Sequence, residues 1–331
     1  MNAPGVWSRL LRDRASRWCL GFLLAVSLAS LFAPLLPLPS PSTLALQDEP
    51  APPVPPWREL FRRGYRAGIQ DFAWPDARLA ELRERIFGDV ETAPWLGTDS
   101  KGRDLLARVL WGSRTSILAA LAAALASLAI GVTLGAIAGL SGPRTDNLMM
   151  RAVDGLQSLP FVFLVIFLIG LVDAHRAELS QRFGIDREVV FYLVIGAVSW
   201  LTMARVVRGQ VLLLRRSAFV EAARVSGASA ARILRVHVLP NILPVVIVSL
   251  TLTIPTVMLT EAFLSFLRLG IEPPKVSWGI LAADGIEAIN PIRIAWWLVV
   301  APAAAMGSVL FALTIVGDGL RDALDPRLSR Q

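Results

Sequence analysis

The 331 residues include one cysteine, Cys19, and two histidines, His175 and His237. A single thiol excludes an internal disulfide, and so few imidazoles and thiolates exclude a His/Cys metal cluster. The chain also lacks the G-x-x-x-x-G-K-[ST] loop that cradles nucleotide phosphates, so it is not expected to hydrolyse ATP itself. No Ser/His/Asp set is available for intramembrane proteolysis or group transfer, because the pattern places His175 in an outer loop and His237 in an inner one. Its apolar runs are nearly free of ionisable groups. Apart from Glu261, they carry charge mainly at their ends, as at Asp154 and Arg205. A carrier driven by protons or sodium buries several such groups near the bilayer midplane, so this scarcity weighs against one.

What is present is apolar. Hydrophobic residues make up 54% of the chain against 18% charged, and mean hydropathy is +0.57. That composition, with several runs near the ~20 residues that cross a bilayer, describes an integral membrane protein. The formal net charge of +7 comes almost wholly from arginine, and in such a protein it reports topology rather than nucleic-acid binding. Arg9, Arg12, Arg14 and Arg17 precede an apolar run from Trp18 to Pro37, which holds the N-terminus in the cytoplasm. A cleaved signal peptide ending near Thr43-Leu44-Ala45 is the alternative, and it leaves the orientation of everything downstream unchanged.

Four regions follow from the composition: residues 1–37, a cytoplasmic start and first span; 38–114, an external segment; 115–317, a membrane core; and 318–331, a cytoplasmic tail. In the external segment, Leu79, Leu82 and Ile86 recur at helical spacing within Asp76–Phe87, which predicts a surface helix on the outer face. Between Trp95 and Ile117, Gly97, Asp99 and Gly102 make a turn, and Asp99 or Asp104 can cap the helix that follows. The second span covers Ser116–Leu140, with Gly131, Gly135 and Gly139 forming a small-residue ridge suited to close helix contact. The third, Ala152–Val172, is interrupted by Pro160, which permits a kink of the sort pathway-lining helices use or a packing kink. A fourth span, Val189–Val207, ends in Arg205 and Arg208, which can snorkel to headgroups. The fifth, Ile242–Phe266, contains Pro255 and Glu261; the last, Ala295–Val316, opens with the interfacial pair Trp296-Trp297. Glu261 suits a contact to a translocation path, a place at the outer interface or a pairing within the bundle.

Between the fourth and fifth spans lies a polar, arginine-rich island, Ser217–Pro244. Phe219–Val225 reads as a short helix broken by Gly227; Ser229 can cap a second short helix, expected to stop at Leu239-Pro240 where a backbone donor is lost. This is the most basic short loop of the chain, so it belongs in the cytoplasm, and four spans separate it from the N-terminus on the same side. Glu221-Ala222-Ala223, Gly227 four residues after Ala223, and Leu239-Pro240 together resemble the EAA loop of permease subunits of ATP-binding-cassette importers. His237-Val238-Leu239-Pro240-Asn241, Trp95–Ile117, Glu261–Gly279 and Gly317–Arg327 are similar to the dipeptide/oligopeptide (C-type permease) branch.

The resemblance implies an all-α integral membrane protein of about six spans with the type I importer fold, in a bacterial inner membrane with both termini cytoplasmic. It implies a second, homologous permease as partner, two ATPase subunits that hold ATP and magnesium, and an extracytoplasmic solute-binding protein that delivers cargo. No cofactor is expected in this chain. Glu221, Ala222, Ala223, Gly227, Leu239 and Pro240 would couple it to the ATPases, with Glu261 and Pro160 as candidates along the path. Peptide is the cargo the branch implies, although nickel, opines, glutathione and antibiotic peptides use similar permeases. An ion-coupled carrier or channel, and a membrane scaffold without transport activity, remain the alternatives.

Overall fold

The computed structural model describes residues 6–42, 50–63, 76–175, 178, 181, 187–273, 275–289 and 294–324. Helices dominate it, as lipid requires: with no water in the bilayer core, a spanning segment must satisfy its own backbone donors and acceptors. In chain order they are α1 (Val6–Arg12), α2 (Arg14–Leu31), α3 (Asp76–Phe87), α4 (Leu105–Ala126), α5 (Val132–Leu140), α6 (Pro143–Ser158), α7 (Phe161–Asp173), α8 (Arg187–Leu214), α9 (Ala218–Val225), α10 (Ala230–Arg232), α11 (Leu239–Phe266), α12 (Trp278–Glu287) and α13 (Trp297–Leu324). One antiparallel ribbon pairs β1 (Phe61–Arg63) with β2 (Val90–Thr92), Phe61 opposite Thr92.

Four continuous runs are long and apolar enough to cross a membrane: Leu105–Leu140, Val189–Leu214, Ala230–Phe266 and Trp297–Leu324. Helices α6 and α7 meet at 92° and make a fifth if taken together. The sixth apolar segment is α2, whose 18 residues begin with Arg14 and Arg17; Pro34 then turns the chain into a 3₁₀ turn, Ala33–Leu35. The six segments expected from the sequence are thus all helical, four at full spanning length.

The third differs most from expectation. Pro160 does not kink one helix but separates two, because it lacks a donor and pushes Leu159 into an extended conformation (ψ 136°). Only α7, at 13 residues, is uniformly apolar; α6 is amphipathic and starts at Pro143. The expected outer loop near His175–Glu188 and the Thr43-Leu44-Ala45 cleavage site fall largely outside the described residues.

The chain divides into two compact units. One comprises residues 1–19, 119–259 and 313–331; the other comprises 20–118 and 260–312. In the first, the glycine ridge meets α8, as its spacing predicts. A Cβ on Gly131 would lie 2.6 Å from the Met203 Cβ, one on Gly135 2.5 Å from the Ala204 carbonyl oxygen, and one on Gly139 2.7 Å from the Val211 Cβ. Bare glycine therefore lets two backbones touch. Arg208 pairs with Asp146, donating from Nη2 to Oδ2 at 2.7 Å, and Arg205 donates to Asp154 at 2.6 Å. These arginines tie α6 to the end of α8.

In the second unit, Asp104 caps α4 by accepting from the Ala107 N–H at 2.8 Å, while Asp99 closes the preceding turn on the Lys101 and Arg103 N–H groups. Arg108 is buried between Asp99 (2.6 Å) and Asp284 (3.1 Å), and Arg103 and Arg268 also reach Asp284. Asp284 stands on α12, a short helix the sequence reading missed. It is capped by Ser277, and Gly279 packs against Ala262 where a side chain would not fit.

Candidate functional site

The arginine-rich island folds as a helix, a tight turn and a second helical run. Ser217, in the extended conformation (ψ 148°), opens α9, and its hydroxyl donates back to the Leu214 carbonyl at 2.6 Å. Glu221 falls in the first turn of α9, where the N-terminal end of the helix favours a negative charge. The carboxylate is exposed and has no partner among the described residues.

The helix ends in a Schellman turn. Gly227 takes φ +81°, its N–H donates to the Arg224 carbonyl (3.0 Å), and the Ala228 N–H reaches back to the Ala223 carbonyl (3.0 Å). Nothing lies within 4 Å of where a Cβ on Gly227 would be, so the glycine is required by the backbone angle and not by crowding. Ser229 then caps α10, accepting from the Arg232 N–H at 3.4 Å.

The second helix does not stop at Leu239-Pro240, contrary to the sequence reading. Ala230–Phe266 is one continuous run of 37 residues. A wide turn of π-helix, Ile233–Val238, precedes the proline, and the Leu239 N–H bonds to the Leu234 carbonyl five residues back. The wider register accommodates a ring that would otherwise strike the carbonyl four residues earlier, and the Asn241 amide occupies the His237 carbonyl at 2.6 Å.

Beneath the loop lies a core. Val220, Ile233 and Val238 are buried with Ala136 of α5, Met203, Val207 and Val211 of α8, and Ile242 and Val246 of α11; Ala223, Ala228 and Leu239 pack against the same cluster. Ala223 and Leu239 thus face inward, whereas Glu221, Ala222, Gly227 and Pro240 are exposed. Val225, at the tip and 89% exposed, is a residue the sequence reading passed over, although an apolar residue beside Gly227 in a polar loop was its signal. Gly227 and the Glu221-Ala222-Ala223 helix are therefore presented on a base formed by three spanning runs.

The two path candidates are not part of this site. Glu261 is fully buried within the second unit and accepts hydrogen bonds from Ser116 and Ser265, each at 2.8 Å. The backbone N–H of Trp278 points to the same Ser116 hydroxyl at 3.4 Å. Pro160 marks the bend between α6 and α7.

Residues 131–330 match the family described as the binding-protein-dependent transport system inner membrane component. The chain belongs to this family. It is 42% identical over 259 residues to the oligopeptide transport system permease protein OppC of Escherichia coli K12, covering 78% of this chain and 80% of that one. It is 41% identical over 236 residues to the dipeptide transport system permease protein DppC of Bacillus subtilis, covering 71% and 69%. A Brucella abortus relative, 33% identical, covers 98% of this chain and 91% of its own length. In fold, the chain resembles a chain of the inward-facing MetNI methionine ABC transporter, with a TM-score of 0.53 at 17% identity over 65% of this chain and 94% of that one. The family assignment makes this chain an inner-membrane transport permease with the importer permease fold, and it removes the scaffold reading.

Proposed function

We propose that the chain is the permease subunit of an ATP-driven peptide importer, acting through the Ser217–Pro240 loop. The supporting observation is the loop's construction: exposed Glu221, Ala222 and Val225 stand on a core shared by α5, α8 and α11, so a force on the tip is carried into three spanning runs at once. Two ATPase subunits on the cytoplasmic side receive the loop, with ATP and magnesium held entirely by them. Their closure tilts the spans by rigid-body motion and converts an inward-open path into an outward-open one. A second, homologous permease completes the path, and a solute-binding protein delivers cargo from outside. Peptide is supported as cargo by relatives that carry oligopeptide and dipeptide transport in their names.

Both termini lie in the cytoplasm in this reading, the side to which Arg9, Arg12, Arg14 and Arg17 assign the N-terminus. Co-purification from native membrane tests it. A Walker-motif ATPase should accompany the tagged chain and be lost from Glu221→Arg. An ion-coupled carrier would instead move peptide when reconstituted alone, and that result would displace the proposal.

A further inference from the structure

The outer segment that precedes the family match contains α3, and the second unit fixes where its two ends go. At the N-terminal end, Asp76 accepts from Arg114 of α4 at 2.7 Å, and Arg114 also stands over the Trp111 ring at 5.7 Å. Arg114 and Trp111 are the last charged and aromatic residues before the uncharged, mainly apolar stretch 115–140. An Arg and Trp pair at that position marks the headgroup level. Toward the other end, buried Arg83 donates to the Leu38 carbonyl at 2.7 Å, just past the turn Ala33–Leu35 that closes α2. Helix α3 is therefore tied to the chain just past α2 and to the point on α4 where the uncharged stretch begins.

The wheel of α3 is asymmetric about that placement. Ala80 and Arg83 are buried against the protein. Leu79, Leu82 and Ile86 fall within an arc of about 60° on one flank, and Arg78 and Arg85 lie beside them toward the outside. Glu84 occupies the opposite flank, and Glu81 lies between it and Arg78, to which it is ion-paired at 3.4 Å. Leu82 and Ile86 are 44% and 58% exposed although both are apolar. A soluble surface would invert this arrangement.

We propose that α3 is an interfacial helix that rests on the outer leaflet, with Leu82 and Ile86 entering the boundary between headgroups and acyl chains and Arg85, beside them, meeting lipid phosphates. The order of groups around the helix favours lipid over a protein partner: the apolar side chains are bordered by Arg78 and Arg85 on the outward side, and Glu81 and Glu84 come farther round the helix from the apolar flank. The helix would brace the ends of α2 and α4 against the bilayer surface.

The test is site-directed fluorescence in the intact transporter. On a Cys19→Ser background, Leu82→Cys, Ile86→Cys and Glu81→Cys are labelled with an environment-sensitive dye and reconstituted into phosphatidylglycerol-containing nanodiscs. Nitroxide placed near the acyl-headgroup boundary should reduce emission at residues 82 and 86 about twofold and leave residue 81, on the flank facing water, nearly unchanged. Iodide in the aqueous phase should show the opposite order. Equal lipid quenching at all three positions, or none at 82 and 86, would overturn the proposal. So would shielding of 82 and 86 that appears only when the solute-binding protein is added, since the occupant would then be a protein. Leu82 and Ile86 report independently, so failure of one variant to fold leaves the other decisive.

Discussion

Gly227 offers the sharpest test of the loop, because its requirement is conformational and nothing else. Its φ of +81° lies in the left-handed region, and an added Cβ would meet no atom within 4 Å. Replacement therefore produces backbone strain without a clash. The cost is about 1 kcal/mol for alanine, about 2 kcal/mol or more for β-branched valine, and a few tenths for asparagine. In population, 1 to 2 kcal/mol lowers the native turn against alternatives by roughly 5-fold to 30-fold. The turn sets the angle between α9 and the run that becomes α11, so its loss misdirects Glu221 and Val225 while the core under the loop stays intact. In proteoliposomes holding the complete importer, peptide taken up per ATP hydrolysed should fall in the order glycine, asparagine, alanine, valine, with membrane insertion unchanged. Full coupling in Gly227→Val, or asparagine as damaging as valine, would refute the reasoning.

Gly135→Val should destabilise the detergent-solubilised chain by about 3 kcal/mol, read as a lowered melting temperature, because its Cβ would lie 2.5 Å from the Ala204 carbonyl oxygen; Gly209→Ala, with open space, should change little. Arg108→Met removes the buried cation that Asp99 and Asp284 share, while Arg103 and Arg268 remain beside them, so it should cost about 1.5–3 kcal/mol, read by thermal unfolding; an unchanged midpoint would mean the cluster is solvated. Asp104 lies just outside the span, and burial pushes its carboxyl from 3.8 up to about 6 against the opposing Ala107 N–H bond. The folded state thus holds the proton more tightly than the unfolded one. The stabilisation is complete below pH about 4 and is lost as pH rises through 6, on the order of 3 kcal/mol. Asp104→Asn keeps the cap and should flatten that slope in melts between pH 4 and 8.

The periodic and punctuated parts of the chain were legible from sequence. Apolar runs gave six helical segments, the Gly131, Gly135 and Gly139 spacing gave a helix contact, and Gly227 gave a left-handed turn at the right residue. Legibility failed where a local rule met a tertiary alternative. Leu239-Pro240 looked like a stop because a proline removes a donor, but the π turn before it changes which carbonyl the ring must pass. At Pro160 the error ran the other way, since the extended Leu159 permits a 92° turn that composition cannot register. Arg208 and Asp146 are 62 residues apart, and Arg108 and Asp284 are 176 apart. No window of sequence contains either pair. A lone Arg108 among Leu105, Leu106 and Val109 was nevertheless a signal that a buried partner must exist, because an unpaired cation there would be too costly.

In the proposed coupling role, the loop must reconcile two conflicting requirements. A surface that receives force must be exposed and free to bind, whereas a lever that passes force on must be packed without slack. A helix of 8 residues meets both by splitting its faces: Val220 and Ala223 are set into the core, and Glu221, Ala222, Arg224 and Val225 stand outside it. Alanine at 222 and 223 keeps the helix narrow, so a partner backbone can come close on one face while the span side chains come close on the other. Close-packed interiors do not yield gradually. A displacement of α9 must therefore shift Val207 and Val211 of α8 and Ile242 of α11 together with it, or break the cluster. Val220→Ala, which leaves every exposed group in place but opens a void at the root, should consequently retain ATPase binding while lowering uptake per ATP. Loss of ATPase binding in that variant would show that the buried residues shape the docking surface instead of carrying its motion inward.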